Sequence, residues 1–433
     1  MRQAGAALRH RNFALFWTGA LISNIGTWMQ NVTVPFVLLY VMHAAPVWVG
    51  VAAVGQFIPG VILGPIGGAL ADRFPRRRVI VVSQAFQAVI AFIMWGAWVS
   101  EVRSPVFYVA MVGAIGVANG MNGPAYQAYV SELVPREDLF NAVTLNSAQF
   151  NGARAVGPAL TGLVLASLGP SWAFLLNGVS FVAVIGALMM IDLAPTAPTV
   201  NRRPILRELA EGASYARHHT GIAVSVVVAT LVAFFALPVA QVATIVAKDV
   251  FDVSPAKFGI LLGSYGAGAV IGAVILGSLG STSDRGRTVL VGVFGFTVSL
   301  AVFGLAPAYW LAVVALGACG ACFVFCMATL NTSIQLQVPE HLRGRVLAAY
   351  FMAFTGGYPM GSLLQSWMAG RIGARETLLL AAVCMLVLGI ALVMRPVWLR
   401  ALEDQSPRIE EPDIDPLAPL DSAPLAGAQV ETA

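Results

Sequence analysis

The chain has 433 residues, 58% of them hydrophobic and only 11% charged, and its mean hydropathy is +0.79. A water-soluble protein carries about 25% charged residues, so the composition excludes an ordinary soluble domain and defines an integral membrane protein. The formal net charge of +4 gives no ground for nucleic-acid binding, because the arginines are sorted along the chain by position.

Arg2, Arg9 and Arg11 precede an apolar stretch from Phe13 to about Met42. That stretch is too long for a signal-peptide core and no small-residue cleavage site follows it, so it reads as a retained first helix. About 20 apolar residues cross a bilayer, and twelve stretches qualify: 13–41, 48–71, 79–99, 105–129, 141–168, 171–192, 220–247, 256–280, 288–306, 309–336, 345–370 and 374–396. With both termini inside, the inner segments hold 19 of the 25 Lys and Arg. The outer loops then hold five, Arg103, Lys248, Lys257, Arg371 and Arg375, and Arg154 is left in the membrane. The positive-inside bias makes the arginine-rich face cytoplasmic.

The apolar pattern breaks at 193–219, where Pro195, Pro198, Arg202 and Arg203 lead into an amphipathic piece, Leu206 to Arg217. This predicts a cytoplasmic linker with a surface helix, dividing the chain into six-helix units at 1–192 and 220–400. The tail, 401–433, is rich in Pro, Ala and acids (Glu403, Asp404, Glu410, Glu411, Asp413, Asp415) and reads as disordered. The two units look alike. Asp72-Arg73 ends the second span, and Asp284-Arg285 follows the eighth. Pro135 leads into the fifth span and Pro339 into the eleventh, and Gly157 and Gly361 lie equally far beyond them. Such internal repeats are common in transporters, whose substrate sites lie near the midplane between the repeats.

Between Gly68 and Arg78 a small-residue helix ends on Asp72 and meets Arg73, Arg76, Arg77 and Arg78 around Pro75. Basic residues at such a turn serve as topology signals. A carboxylate there can also face the positive end of a neighbouring helix. In the fifth span, Gly157, Pro158 and Gly162 remove bulk and loosen the backbone ladder, so the helix can pack tightly and bend. Asn151, Arg154, Pro158 and Thr161 share one face at helical spacing. An arginine this deep needs water, a partner or a ligand. One reading makes Arg154 an anion-recognising or coupling residue in a central cavity. The other makes it a clamp on helix-end carbonyls or on Glu132.

Further polar residues suggest a cavity lining: Asn24, Thr27 and Asn31; Asn119, Asn122 and Tyr126; Gln241; Asn331 and Gln335; Tyr350 and Tyr358. Each alone is as readily an interhelical hydrogen bond, but with Trp28 and Phe354 the set describes an amphipathic pocket for a medium-sized, partly apolar solute. Cys319, Cys322 and Cys326 lie on one face of a single span and Cys384 in another. They read as small packing residues, with no disulfide framework and no metal site. The only two lysines, Lys248 and Lys257, both follow alanine, so no Walker A loop is present. No nucleophile elbow, zincin motif or paired catalytic carboxylates occur, so neither an enzyme nor a cofactor is expected. No carboxylate falls at mid-membrane.

The 68–78 turn resembles the loop signature of the major facilitator superfamily (MFS), with Pro75 where that pattern has glycine. Gly157-Pro158 and Gly162 resemble its antiporter signature, with Thr161 in place of one glycine. The stretches Leu8 to Trp17, Ser23 to Gln30 and Val338 to Val346 resemble its enterobactin-exporter-like, or transmembrane secretion effector, branch. The likeness covers about residues 8–395. It implies an all-α integral membrane fold of twelve transmembrane helices in two pseudo-symmetric six-helix bundles. It further implies a bacterial inner-membrane exporter working by alternating access, driven by protons, functional as a monomer among membrane lipids, and carrying a siderophore or an amphipathic drug-like molecule. Gly68, Asp72, Arg73, Arg76, Arg77, Asp284, Arg285, Arg343 and Arg345 would then form the inner gate. The alternatives are an importer or lipid-moving member of the same fold, and a non-transporting membrane sensor or scaffold.

Overall fold

The computed structural model describes residues 5–193, 205–279 and 284–403. Pro195, Pro198, Arg202 and Arg203 of the expected linker, and the tail acids from Asp404 onward, lie outside the described residues. The helices are α1 (Arg11–Phe36), α2 (Val47–Arg73), α3 (Arg76–Val99), α4 (Pro105–Glu132), α5 (Leu139–Ser167), α6 (Pro170–Met189), α7 (Ile205–His218), α8 (Thr220–Phe235), α9 (Val239–Asp249), α10 (Pro255–Leu279), α11 (Arg285–Leu305), α12 (Tyr309–Gln337), α13 (Glu340–Ile372), α14 (Ala374–Met394) and α15 (Pro396–Ala401). Among the described residues nine helical stretches are long and apolar enough to cross a membrane, with α8 and α9 counted as one. Helices α1, α5 and α13 are as long, at 26, 29 and 33 residues, but their apolar runs are interrupted by Asn, Gln and Arg side chains.

The helix ends have local causes. Ser104 accepts a hydrogen bond from the Phe107 N–H at 3.4 Å and Pro105 opens α4, a cap followed by a residue that needs no donor. Gly169 and Gly373 precede α6 and α14 at φ +85° and +103°, where a side chain would be strained. They stand 204 residues apart, the separation that also relates Pro135 to Pro339 and Gly157 to Gly361. The stretch expected as one span at 220–247 breaks between Phe235 and Val239, because Pro238 has no N–H with which to continue the ladder. The amphipathic linker helix forms as α7, and one of its faces is covered by protein. Gly212 presses on the backbone of Arg345 and Val346 at the start of α13, and Ala216 is buried.

Helices that are apolar all round gain little from burying one face in preference to another, so small residues set their contacts. Gly120 meets Gly60 between α4 and α2, and Gly268 meets Gly317 between α10 and α12. The cysteines pack in the same way: Cys322 and Cys326 of α12 lie against Gly295 and Gly292 of α11. A buried hydrogen bond from Asn177 to Gln30, 2.8 Å, ties α6 to α1.

Two contacts join helices from opposite ends of the chain. A Cβ added to Gly162 of α5 would stand 2.5 Å from Gly259 Cα of α10, and one added to Gly266 would stand 2.5 Å from Ala155 Cα. Gly50 of α2 is equally tight on Leu363 of α13, at 2.6 Å. These contacts lie at mid-helix or toward the arginine-poor end. Toward the arginine-rich end the same helices expose Phe140, Val143, Val274 and Ile275.

Gly162→Leu should therefore separate α5 from α10, at a cost of about 1–3 kcal/mol from overpacking. Thermal unfolding in detergent micelles checks this: the melting temperature should fall by several degrees. Gly186→Ala, at an exposed helical site with no heavy atom within 4 Å of the added Cβ, should leave it unchanged or raise it.

Candidate functional site

At the arginine-rich end, Pro75 turns the chain between α2 and α3 and presents Arg76 to α4. Its guanidinium donates to Glu132 Oε1 at 2.7 Å and to the Ala128 carbonyl at 3.3 Å. Glu132 is therefore engaged by Arg76 and is not the partner of Arg154. Arg77 reaches Met189 Sδ at 4.0 Å and Arg73 is exposed. Asp72 is half-buried and has no hydrogen-bond or ion-pair partner among the described residues. Neither Arg343, which is exposed, nor Arg345 meets it. Arg345 donates to Glu211 of α7 at 2.8 Å.

The second acidic turn is built differently. Asp284 caps α11 by accepting from the Arg287 backbone N–H at 2.7 Å. Arg285 donates to the carbonyls of Leu402 at 2.9 Å and Glu403 at 3.3 Å. The Arg287 amide, together with a hydrogen bond shared with Glu403, holds the Asp284 carboxyl below its ordinary range, and that shared bond raises Glu403. The stabilisation from ionised Asp284 is present above the ordinary aspartate range and is lost as pH falls through its lowered value.

Deep between the helices lies Arg154, half-buried on α5. Its Cζ stands 5.6 Å from the ring centre of Trp28 on α1, 5.9 Å from Tyr265 on α10 and 5.7 Å from Phe323 on α12. A desolvated cation–π contact contributes up to about 2 kcal/mol, but a ring face accepts none of the five guanidinium N–H bonds in the ordinary way. Among the described residues Arg154 has no hydrogen-bonded acceptor and no ion pair, so it clamps no helix-end carbonyl. The Tyr265 hydroxyl is buried without a partner, as are Gln241 Oε1 and Ser362 Oγ. Gln241 and Ser362 stand beside the Tyr358 hydroxyl, and the charge of Arg154 reaches both tyrosines.

A cavity of about 250 Å³ opens between α2, α4 and α13, lined by Gln56, Phe57, Gly60, Gly64, Asn119, Gly120, Gly123, Pro124 and Thr355. A smaller one of about 20 Å³ brings Asn31 and Gln241 together with Gln56. Tyr358 packs edge-on against Phe57, centroids 5.0 Å apart. The structure thus gathers Asn31, Asn119, Gln241 and Tyr358 around Gln56 and Phe57. It does not bring the remaining candidates there. Tyr126 donates to Asn146 at 2.9 Å beneath Phe16, Asn151 donates to the Ser147 carbonyl of its own helix, and Gln335 donates to Asn331 on α12. Asn24, Thr27 and Asn122 line neither cavity, and Tyr350 is buried beside Phe351. Gly157 receives Trp28, whose Cβ would lie 2.5 Å from an added Cβ, and Thr161 donates to the Gly157 carbonyl at 2.8 Å. Sequence reasoning missed Gln56, Tyr265 and Phe323. Gln56 carried a signal, as the only amide side chain in the apolar run of α2.

Solved transporters share this fold. The nucleoside transporter NupG aligns with a TM-score of 0.70 at 13% identity, over 88% of this chain and 98% of its own. A POT family transporter aligns at 0.68 and 11% identity, over 90% and 96%. Two curated relatives are similar over nearly their whole lengths. Macrolide efflux protein A of Streptococcus pyogenes is 24% identical over 404 residues, 88% of this chain and 95% of its own. The enterobactin exporter EntS of Shigella flexneri is 26% identical over 420 residues, 93% and 96%. The model of the transmembrane secretion effector family matches residues 3–425, and the chain belongs to that family of major facilitator transporters.

The cap at Asp284 separates a structural from a gating role for the second acidic turn. Asp284→Ala should cost about 1 kcal/mol of stability, whereas Asp284→Asn keeps the cap and loses only the charge. Thermal unfolding over a pH series checks this. The gap between wild type and Asp284→Asn should close as pH drops below the ordinary aspartate range.

Proposed function

We propose that the chain is a secondary active exporter of twelve transmembrane helices in two pseudo-symmetric six-helix bundles, 1–192 and 220–400, joined by the 193–219 linker and followed by the 401–433 tail. The nine apolar spans together with α1, α5 and α13 support the count. The recurring 204-residue separation of Pro135 and Pro339, Gly157 and Gly361, and Gly169 and Gly373 supports the repeat. The sorting of arginines supports cytoplasmic termini in a bacterial inner membrane. The similarity to two bacterial exporters over almost the whole chain supports outward transport of a small molecule, a siderophore or an amphipathic drug-like compound.

One observation carries the alternating-access reading. The glycine contacts Gly162–Gly259 and Gly50–Leu363 close the arginine-poor side, while Asp72 stands away from Arg343 and Arg345 on the other. This is an inward-open arrangement. In the opposite state Asp72 would dock at the start of α13 and lock the inner gate, and Arg345 would leave Glu211. Gly68, Arg73, Arg76, Arg77, Asp284 and Arg285 shape the two turns about which this happens. Coupling to protons and function as a monomer rest on the family resemblance.

Inside-out membrane vesicles energised by respiration test the proposal with a panel of dyes and a catecholate siderophore. Wild type should accumulate at least one of them, an uncoupler should abolish accumulation, and Asp72→Asn at equal protein level should reduce it about tenfold or more. Solute driven out of these vesicles would make the protein an importer. Transport indifferent to Asp72→Asn would remove the proposed gate.

A further inference from the structure

Arg154 is a cation near three rings, with no hydrogen-bond acceptor among the described residues. Three rings from three helices surround its guanidinium within 6 Å. Two of these, Tyr265 and Phe323, are nearly fully buried, so the surroundings are apolar. Rings of this kind fix the guanidinium laterally and leave its N–H edges with hydrogen bonds to make. Among the described residues no carboxylate makes them. Glu132 is held by Arg76 at 2.7 Å, Asp72 lies at the arginine-rich end, and Glu101, Asp249 and Asp252 lie at the other. Half-buried, the guanidinium is left open to water or a ligand and is not tied to its own or a neighbouring helix among the described residues. The hydroxyl of Tyr265 adds a second unused hydrogen-bonding group to the same place.

We propose that Arg154 with Trp28, Tyr265 and Phe323 forms a binding subsite for a planar aromatic carboxylate or a comparable aromatic anion, and that this subsite rejects cations. The proposal rests on the reading that the region between the two bundles is the transport path; the four residues line neither cavity described above. An anionic oxygen pair matches the guanidinium fork in a bidentate manner, and the three rings supply faces and edges for an aromatic body. A cation would meet the arginine with no carboxylate to offset it. The subsite is also divided between the two ends of the chain. Trp28 and Arg154 come from α1 and α5, and Tyr265 and Phe323 come from α10 and α12. A rocking of one bundle against the other would therefore dismantle it, so an anion bound there biases the equilibrium between states. Charge alone would not suffice, because lysine lacks the planar fork.

The test uses purified full-length protein in phosphatidylcholine nanodiscs, which remove competing anionic headgroups. Three probes of one ring system are titrated by calorimetry at neutral pH: naphthoate, naphthamide and naphthylmethylammonium. Naphthoate should bind at least tenfold tighter than naphthamide, and the ammonium compound should bind weakest. Arg154→Gln should abolish the preference for naphthoate while leaving naphthamide binding within about twofold. Arg154→Lys, the milder variant if Arg154→Gln does not fold, should weaken naphthoate several-fold. Wild type binding the three probes equally, or failing to bind naphthoate, would overturn the proposal. The same probes in energised inside-out vesicles separate it from the transporter reading. Naphthoate bound through Arg154 but never accumulated would leave the subsite standing and count against the transport reading. Accumulation of the cationic probe as strongly as naphthoate, with both unchanged in Arg154→Gln, would leave the exporter standing and remove the subsite.

Discussion

The bilayer core accepts neither an unsatisfied charge nor an unsatisfied backbone group, and most of this chain's organisation follows from that constraint. It explains why the described backbone is almost entirely helical and why the helices are apolar on every side. It also explains why the charged turns collect at the helix ends, where Arg76 and Glu132 or Arg285 and the Leu402 carbonyl join neighbouring elements in or near water. Arg154 is the exception. Placing an arginine at the centre of a membrane helix costs at least about 2.5–3.5 kcal/mol, and the three rings around it offset only part of that. A residue kept in so unfavourable a position is best explained by something that binds it.

The same constraint decides how the helices meet. With apolar surface on all sides, contact specificity comes from how closely two backbones can approach, and glycine permits the closest approach. Gly162 on Gly259, Gly60 on Gly120 and Gly268 on Gly317 are contacts of this kind. The α5–α10 contact joins the two bundles we propose, and it lies on the helix that carries Arg154. About two turns of α5 separate Arg154 from Gly162. Helix α7 adds a further tie: Glu211 occupies Arg345, a partner that the inner gate would otherwise offer Asp72.

Much of this was legible in the sequence, for a physical reason. Hydropathy marks spans, and a strong amphipathic period marked the helix that forms as Ile205–His218. Equal spacing from Pro135 and Pro339 is the basis of the repeat we propose. What stayed hidden depends on which face of an apolar helix turns inward, and a helix without amphipathic period does not disclose that. Thus Arg154 could be singled out, while its neighbours Tyr265 and Phe323 could not. The engagement of Glu132 by Arg76 likewise needed three dimensions, as did the hydrogen bond between Tyr126 and Asn146 that removes both from the cavity. The break at Pro238 was within reach of the sequence, since proline inside an apolar run interrupts the hydrogen-bond ladder.

We propose that the two bundles rock against each other, the arginine-rich side closing as the Gly162–Gly259 contact on the other side parts. Spin labels at Val143→Cys on α5 and Ile275→Cys on α10, both exposed on that side, would report it most directly, in a background where Cys319, Cys322, Cys326 and Cys384 are replaced. Pulsed dipolar spectroscopy in nanodiscs should resolve two distance populations, and Asp72→Asn should shift their ratio toward the longer one. A single distance, unchanged by that substitution and by pH, would contradict the account.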